Sequence, residues 1–296
     1  MENRRPDTLA GMANGSGSIR RRRLGIELRE LRTAKGLTLD EVARRFTWSV
    51  SKASRMERGL VPVSPRDVAD LVKLYGVDDP DHADALVAMA AASRQRDWWH
   101  KFDDLLPRQF SVYLGFEGDA ESIHTYQSLL IPGLLQTEAY ARAIFRAAQP
   151  GETDEQINRR VEARLLRQTI VKNKDAPRLW AILDEAAIRR GVGGRDVMRE
   201  QLAHLASSSK QPNITIQVIP FRAGAYMSMD GGFIILRFAE AEDPDVVCVD
   251  IRTRSLYVDD PAEVRRYTLA HEQLLALAAT PDESIKLIEA ALEEMR

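Results

Sequence analysis

The segment 49–58 combines hydroxyl and guanidinium side chains in the pattern of a short amphipathic helix. It reads SVSKASRMER, and Ala53 and Met56 are spaced so that both can face a core. An arginine in the major groove of DNA can bind guanine O6 and N7 together, and hydroxyl groups can bond other base edges. The predicted base contacts are Val50, Ser51, Ser54 and Arg55.

Further cationic and hydroxyl side chains around this segment could bind phosphate groups. Residues 20–58 hold 12 basic and 5 acidic residues, although the formal net charge of the chain is −2. This asymmetry indicates a polyanion partner at one end of the chain, the alternative being a solvated surface of uneven charge. The predicted phosphate contacts are Thr38, Arg44, Arg45, Ser49, Lys52 and Arg58, with Arg22 and Arg23 in a basic arm before the first helix.

Three short helices with recognisable ends position these residues. Apolar residues at i, i+4 and i+7 from Leu24 predict the first helix, and Gly36 ends it. Thr38 has a glutamate three residues later, which predicts a capping box for a second helix over 39–46. After a tight turn, Ser49 caps the third helix.

Two more helices, the fourth with Val68 and Leu71 facing inward, complete a predicted all-α five-helix domain over 20–95. Two short helices joined by a tight turn are typical of a helix-turn-helix, in which the second helix of the pair reads the major groove. Residues 1–19, rich in glycine and serine, are predicted to be a disordered tail.

The remainder, 98–296, alternates helix and strand signals, so the chain is predicted to be multidomain. The pattern is α+β, and we expect a small, mostly antiparallel sheet. The predicted strands are 179–183, 214–219, 232–238, 246–251 and 255–258, and the predicted helices are 136–148, 153–173, 194–207, 261–279 and 281–294.

The run GLTLDEVARRFTWSVSKASRMERG resembles the Xre/Cro family of helix-turn-helix regulators. The resemblance implies a five-helix domain whose third helix reads bases through Val50, Ser51 and Arg55, with a loop at 57–59 ending that helix. The sequence departs from the family at Thr47, where many members carry glycine in the turn.

A second resemblance covers about 98–285. It rests on LLIPGLLQTEAYARAI (129–144), RRVEARLLRQ (159–168), LDEAAIRRGVGG (183–194), QLAHL (201–205), ITIQVIPFRAGAY (214–226) and GGFIILRF (231–238), which are similar to the C-terminal domain of WhiJ-like actinobacterial regulators. The resemblance implies a DNA reader joined to a domain for sensing or protein contact. It also implies a small acidic partner protein encoded nearby.

Several residues of this second region are candidates for a partner or ligand surface. The tryptophan pair could cover a pocket or simply pack, the arginines could attract an acidic partner or be solvated, and the loop around 220–227 could expose apolar side chains. The turn 131–136 similarly reads as an apolar core turn or as part of a recognition groove. The candidates are Trp98, Trp99, Arg160, Arg164, Arg167, Phe221, Tyr226 and Met227.

No pattern favours catalysis. The five histidines stand apart, and none lies beside a cysteine or serine in a nucleophile motif. Asp184 and Glu185 could do acid–base chemistry, but adjacent side chains point in different directions, and a charge at a helix N-terminus explains the pair as well. We expect no enzyme, no cofactor and no metal site, and the single Cys248 allows no internal disulfide.

The sequence therefore predicts a transcriptional regulator that binds double-stranded DNA as a homodimer. Without an apolar run of the ~18 residues that a membrane helix needs, we expect no membrane partner and a cytoplasmic, nucleoid-associated protein. The C-terminal domain would sense a small protein partner or a ligand. The alternative is an antitoxin-like interaction module of a two-protein pair, in which DNA binding serves autoregulation.

Overall fold

The computed structural model forms two compact units, which divide between residues 119 and 120. It describes residues 19–59, 61–94, 98–174, 176–239, 243–251 and 254–295. The predicted tail lies outside the described residues except for Ile19, which begins the first helix. The second domain is predicted to begin at residue 98, whereas the helices between 98 and 119 group with the first unit.

The described part of the N-terminal unit is built from helices, which confirms the predicted all-α region. A short 3-10 helix at Trp98–Phe102 precedes the last helix of the unit. The α-helices are α1 (Ile19–Ala34), α2 (Leu39–Arg45), α3 (Val50–Glu57), α4 (Pro65–Tyr75), α5 (Pro80–Arg94) and α6 (Arg108–Asp119).

The core of helices α1–α5 contains the apolar residues that the sequence pattern points inward. Leu24 and Leu28 of α1 pack with Met56 of α3 and with Val68 and Leu71 of α4. These side chains are almost fully buried. Burial of large apolar side chains on this scale stabilises the unit and orients its short helices, which would be marginal alone.

Gly25 allows helix α1 to lie directly against the end of α3. A Cβ atom at position 25 would lie 2.6 Å from the carbonyl oxygen of Glu57 and 2.8 Å from that of Met56. Backbone atoms cannot move aside as the end of a flexible side chain can. The contact between the two helices therefore depends on the missing side chain.

Gly25→Ala is expected to lower the free energy of unfolding by about 1–3 kcal/mol, because the added methyl group overpacks this backbone contact. Gly118→Ala in α6 is the matched control, since nothing lies within 4 Å of a Cβ atom there. Alanine should raise stability at that position by about 0.5–1 kcal/mol. Denaturant titration of both variants measures the difference, and a Gly25→Ala protein as stable as the wild type would contradict the contact.

The C-terminal unit contains six strands, six α-helices and three short 3-10 helices among the described residues. Two α-helices connect β1 to β2, and two more connect β2 to β3. The strands are β1 (Ser122–Gln127), β2 (Arg178–Asp184), β3 (Ile214–Ile219), β4 (Phe233–Arg237), β5 (Val246–Ile251) and β6 (Arg254–Val258). The helices are α7 (Glu138–Ala148), α8 (Asp154–Arg167), α9 (Glu185–Arg189), α10 (Arg195–Ser208), α11 (Pro261–Leu277) and α12 (Pro281–Glu294).

The strands form one six-stranded mixed sheet in the order β3-β2-β1-β4-β5-β6. Strands β1, β2 and β3 are parallel, whereas β4, β5 and β6 pair antiparallel with their neighbours. The expected small, mostly antiparallel sheet was therefore wrong. The central strand β1 is not among the predicted strands. Its residues SIHTYQ mix polar and aromatic side chains without a clear strand pattern.

The link between α11 and α12 covers the outer edge of β3. The Val218 N–H donates to the Ser284 hydroxyl at 2.9 Å, and the Ala279 N–H donates to the Val218 carbonyl at 2.9 Å. The Gln217 side chain also donates to the Ala279 carbonyl at 2.8 Å. These bonds satisfy groups that an edge strand would otherwise leave open to pairing with another chain.

One face of the sheet packs against α11. Tyr126, Ile235 and Val247 from the strands meet Leu274 of the helix in one buried cluster. Two histidines lie in contact in this unit, His124 of β1 and His271 of α11, with ring centroids 5.0 Å apart. Burial, aided by the nearby Arg237 charge, lowers the pKa of each histidine to about 4. Both histidines are therefore neutral at physiological pH.

Candidate nucleic-acid interface

Helix α2 begins at a capping box, as the sequence predicts. The Thr38 N–H donates to the Glu41 carboxylate at 2.8 Å, and the Glu41 N–H donates back to the Thr38 hydroxyl at 3.3 Å. The bonds that the carboxylate accepts, first from the Thr38 N–H and then from the Thr38 hydroxyl, lower the pKa of the Glu41 carboxyl. The Thr38 hydroxyl itself donates to Glu41 at 2.8 Å. Thr38 has two groups that could donate to a phosphate, its N–H and its hydroxyl. Both already donate to the Glu41 carboxylate.

The turn between α2 and α3 holds Thr47 in a left-handed conformation, with φ = +56°. The Trp48 N–H donates to the Ala43 carbonyl at 2.8 Å, and the Thr47 N–H donates to the Arg44 carbonyl at 3.3 Å. These two bonds form a Schellman motif that ends α2. The left-handed position of this motif is usually glycine. The departure from the Xre/Cro pattern at Thr47 therefore falls where the backbone favours glycine. A β-branched residue is strained there.

Helix α3 follows this turn with one face inward and one face outward. Its N-cap residue Ser49 accepts the Lys52 N–H at 3.1 Å. Ala53 and Met56 are buried against the core, as expected from their spacing. Among the four predicted base contacts, the side chains of Val50, Ser51 and Arg55 are exposed and that of Ser54 is half-buried.

Three of the predicted phosphate contacts are exposed arginines close in sequence to α3. Arg44 and Arg45 are exposed in the last turn of α2, and Arg58 is exposed directly after α3. The Lys52 ammonium lies 4.3 Å from the centre of the Trp48 ring, which limits the positions it can take. The Trp48 ring in turn stacks on Phe46 at 4.7 Å.

An ion pair that the sequence analysis did not identify joins the end of α3 to α1. Arg32 donates to both carboxylate oxygens of Glu57, at 2.6 and 3.0 Å, and also to the Leu37 carbonyl at 2.6 Å. The two side chains are only 12% and 10% exposed. Bonding to Glu57 raises the pKa of Arg32. A pair 25 residues apart leaves no local pattern in the sequence, so only the tertiary structure shows it.

The predicted basic arm is part of a helix. Helix α1 begins at Ile19, so Arg23 lies in its second turn rather than in a free segment before it. Arginine favours helices, and Leu24 ties this turn to the core, which explains the difference. The Arg22 side chain lies outside the described parts of the structure.

The arginines of α8 do not form the open basic face that the sequence analysis considered. Arg160 pairs with both carboxylate oxygens of Glu152, and Arg164 donates to the Gln136 side-chain oxygen. Arg167 is buried. Arg164 and Arg167 approach Gly133 in the connection that follows β1, whereas Arg160 binds Glu152 in the loop before α8. The charges of these arginines therefore serve the fold.

This connection reads IPGLLQT and is a core turn rather than an open groove. Leu134 and Leu135 are buried, and the Gln201 side chain bonds both the Leu135 carbonyl and the Thr137 N–H at 2.7 Å. The Gln168 side chain donates to the Gln136 carbonyl at 2.7 Å. Buried amides thus replace the water that would otherwise bond this irregular backbone.

The other candidates for a partner surface divide into buried and exposed residues. Trp99 is buried beside the half-buried Trp98, in edge contact at 5.8 Å, so this pair packs within the N-terminal unit. In the loop after β3, Phe221 is 60% exposed and Met227 is 55% exposed. Tyr226 is different, because its hydroxyl bonds Asp184 and lies 2.9 Å from the Tyr126 hydroxyl.

The carboxylates of Asp184 and Glu185 are both used in structural hydrogen bonds. Asp184 caps α9 by accepting the Ala186 N–H at 2.7 Å. Glu185 accepts the Phe221 N–H at 2.8 Å and pairs with Arg189 at 3.2 Å. Together with Tyr226, these bonds hold the loop from 220 to 232 at the carboxyl ends of the parallel strands. Among the described residues, no cluster of histidine, cysteine, aspartate or glutamate could hold a metal ion.

The α2–turn–α3 geometry defines a helix-turn-helix protein, and comparison with known families agrees. A helix-turn-helix domain matches residues 23–86, which supports DNA binding and regulation. A domain of unknown function, DUF5753, matches residues 110–290, and the chain belongs to that family. Neither the curated proteins nor the solved structures contain a match to the chain. Through the described ranges, no helix has the length and apolar character to cross a membrane.

Thr47→Gly is expected to raise the free energy of unfolding by about 1 kcal/mol, because glycine removes the strain of a β-branched residue at positive φ. Thr33→Gly, at an exposed position in the last turn of α1, is the control and should lower stability by about 0.3–0.5 kcal/mol. Thermal melts of both variants provide the measurement. A destabilised Thr47→Gly protein would show that the turn does not hold the left-handed conformation.

Proposed function

We propose that the chain is a sequence-specific regulator of the Xre/Cro type that inserts α3 into the major groove of duplex DNA. The observation that carries the proposal is the division of α3 into two faces. Ala53 and Met56 anchor it, whereas Val50, Ser51 and Arg55 point to solvent on one side. A short helix held by its inner face and polar on its outer face suits insertion into a groove about 12 Å wide.

The charges around α3 support the same docking. Arg44 and Arg45 in the last turn of α2 and Arg58 directly after α3 are exposed cations close in sequence to this face, and we assign them to phosphates of the bound duplex. The start of α3 adds partial positive charge. Base reading is then assigned to Arg55, with Val50, Ser51 and Ser54 beside it.

We further propose that the protein acts as a homodimer without catalysing a reaction. A single helix-turn-helix contacts few base pairs, and a two-fold pair of readers fits a palindromic site. Binding to DNA would place the protein at the nucleoid. The carboxylates of Asp184 and Glu185 support the non-catalytic assignment, since both are engaged in capping and loop bonds.

Arg55→Ala should relax sequence preference at one base pair by about 1–3 kcal/mol, because it removes a bidentate contact to a base. Lys52→Ala should weaken binding to all sequences alike and lower the slope of log affinity against log salt by about one unit. Binding titrations at several salt concentrations, on a duplex selected in vitro from a random library and on its single-base variants, separate the two effects.

Arg199→Ala is the matched control for these titrations. Arg199 is an exposed arginine of α10 that pairs with Asp196 at 3.0 Å, so its removal should leave the affinity for DNA unchanged. Wild-type affinity and specificity in both the Arg55→Ala and Lys52→Ala proteins would contradict the placement of α3 in the groove.

We propose that the C-terminal domain senses a small protein partner through the loop after β3. Phe221 and Met227 are more than half exposed, whereas Tyr226 and Glu185 hold the loop from beneath. A fixed loop that presents apolar side chains to water is a typical contact surface, and methionine adapts to varied partners. The resemblance to WhiJ-like regulators supports a small acidic partner. In the alternative, an antitoxin-like module of a two-protein pair, the DNA binding would serve autoregulation.

The double variant Phe221→Ser, Met227→Ser is expected to lose a stoichiometric partner that co-purifies with the wild-type chain from its source organism. The two substitutions remove the two most exposed apolar side chains of the loop and leave the loop anchors in place. Leu277→Ser, at another exposed apolar residue, is the control and should retain the partner. Equal recovery of the partner with the double variant would exclude this loop as the contact.

A further inference from the structure

The outward face of α11 carries a stripe of residues that the fold does not use. The opposite face packs on the sheet through Ala270 and Leu274. Arg265, Leu269 and Glu272 are exposed, and their spacing of four and three residues places them along one side of the helix. Leu269 is 49% exposed, although it lies in the middle of a long helix.

A groove of about 520 Å³ runs beside this stripe. Its apolar walls come from Pro244, Pro261, Val264 and Leu269, and the charged groups include Arg265 and Glu272 of the stripe. The groove therefore offers an apolar strip with one cation and one anion on the same helix, about two turns apart.

We propose that this face pairs with the same face of a second copy, with the two α11 helices antiparallel across the groove. The inference deepens the homodimer of the proposed function by assigning its contact surface. In a two-fold contact the same patch on each copy must fit itself, so a residue and its counterpart exchange partners across the axis. A surface that binds itself must therefore carry complementary groups placed symmetrically about one point.

The stripe on α11 meets this condition. Arg265 and Glu272 lie seven residues apart, which is about 10.5 Å along a helix axis, and the midpoint falls between Thr268 and Leu269. A two-fold axis through that point sets Arg265 of each copy beside Glu272 of the other. It also brings the two Leu269 side chains together at the centre. A parallel arrangement would instead place like charges opposite each other.

The charged groups of Arg265 and Glu272 favour a second copy of the chain as the partner of this face. Within the described ranges, neither Arg265 nor Glu272 forms an ion pair with another residue of the same chain. Of the other carboxylates at the groove, Asp245 lies 3.6 Å from the Arg237 guanidinium, which offsets its charge. Asp259 precedes the first turn of α11, where a negative charge suits the helix dipole.

The self-association of the full-length chain, measured by sedimentation equilibrium, tests the proposal. Leu269→Glu should weaken the dimer at least ~100-fold, because it removes two apolar side chains from the centre and sets two carboxylates together there. Leu129→Glu is the matched control, since Leu129 is 53% exposed elsewhere in the same unit. That variant should associate like the wild type, and circular dichroism verifies that both variants are folded.

Charge exchange gives an independent test that does not depend on Leu269. Arg265→Glu and Glu272→Arg should each weaken the dimer about 3–10-fold by placing like charges across the axis. The double variant should restore wild-type association, because it exchanges the two partners. A wild-type chain that is monomeric at every concentration would overturn the proposal. So would a dimer that Leu269→Glu leaves unchanged, or a double variant that is no better than the single ones.

A DNA measurement separates this inference from the proposed function. The probe is the palindromic duplex selected in vitro, together with a duplex that carries one half of it. The Leu269→Glu protein should bind the half-site like the wild type and lose the extra affinity for the palindrome. A wild-type chain that binds no duplex would contradict the proposed function without affecting the sedimentation result. Equal palindrome binding by both proteins would contradict the α11 contact.

Discussion

The contact between α1 and the end of α3 is the constraint on which the candidate interface depends. Helix α3 has only eight residues and would not hold its shape or direction alone. The close approach at Gly25 and the ion pair between Arg32 and Glu57 fix its carboxyl end, while Met56 fixes its inner face. The outward residues can therefore point away from the core without loss of order, which is the condition for reading bases with a preorganised helix.

The C-terminal domain uses its polar side chains in a different way. Asp184 caps α9, Gln201 bonds the irregular backbone after β1, and Arg167 is buried. The two histidines of the sheet layer are kept neutral by burial. Several large apolar side chains of this domain are exposed instead, among them Phe221 and Met227 on a braced loop and Leu269 on α11.

Much of the N-terminal unit could be predicted because its signals are local. The capping residues Thr38 and Ser49 start α2 and α3 where the sequence indicates, and the spacing of Ala53 and Met56 correctly divides α3 into two faces. The C-terminal sheet was harder to predict. Strand β1 has no clear alternation, and parallel pairing of β1 with β2 joins residues more than fifty positions apart. Nothing within a short window of sequence encodes such a pairing.

The sequence by itself determined the helix-turn-helix, the basic segment around it and the division into a helical and a mixed region, because propensity, capping and charge act over a few residues. The tertiary structure decided which charges are available. It buries Arg167, pairs Arg160 and Arg32 within the chain, and leaves Arg55 and Arg265 open. The reason is that the exposure of a side chain depends on neighbours that only the folded backbone brings together.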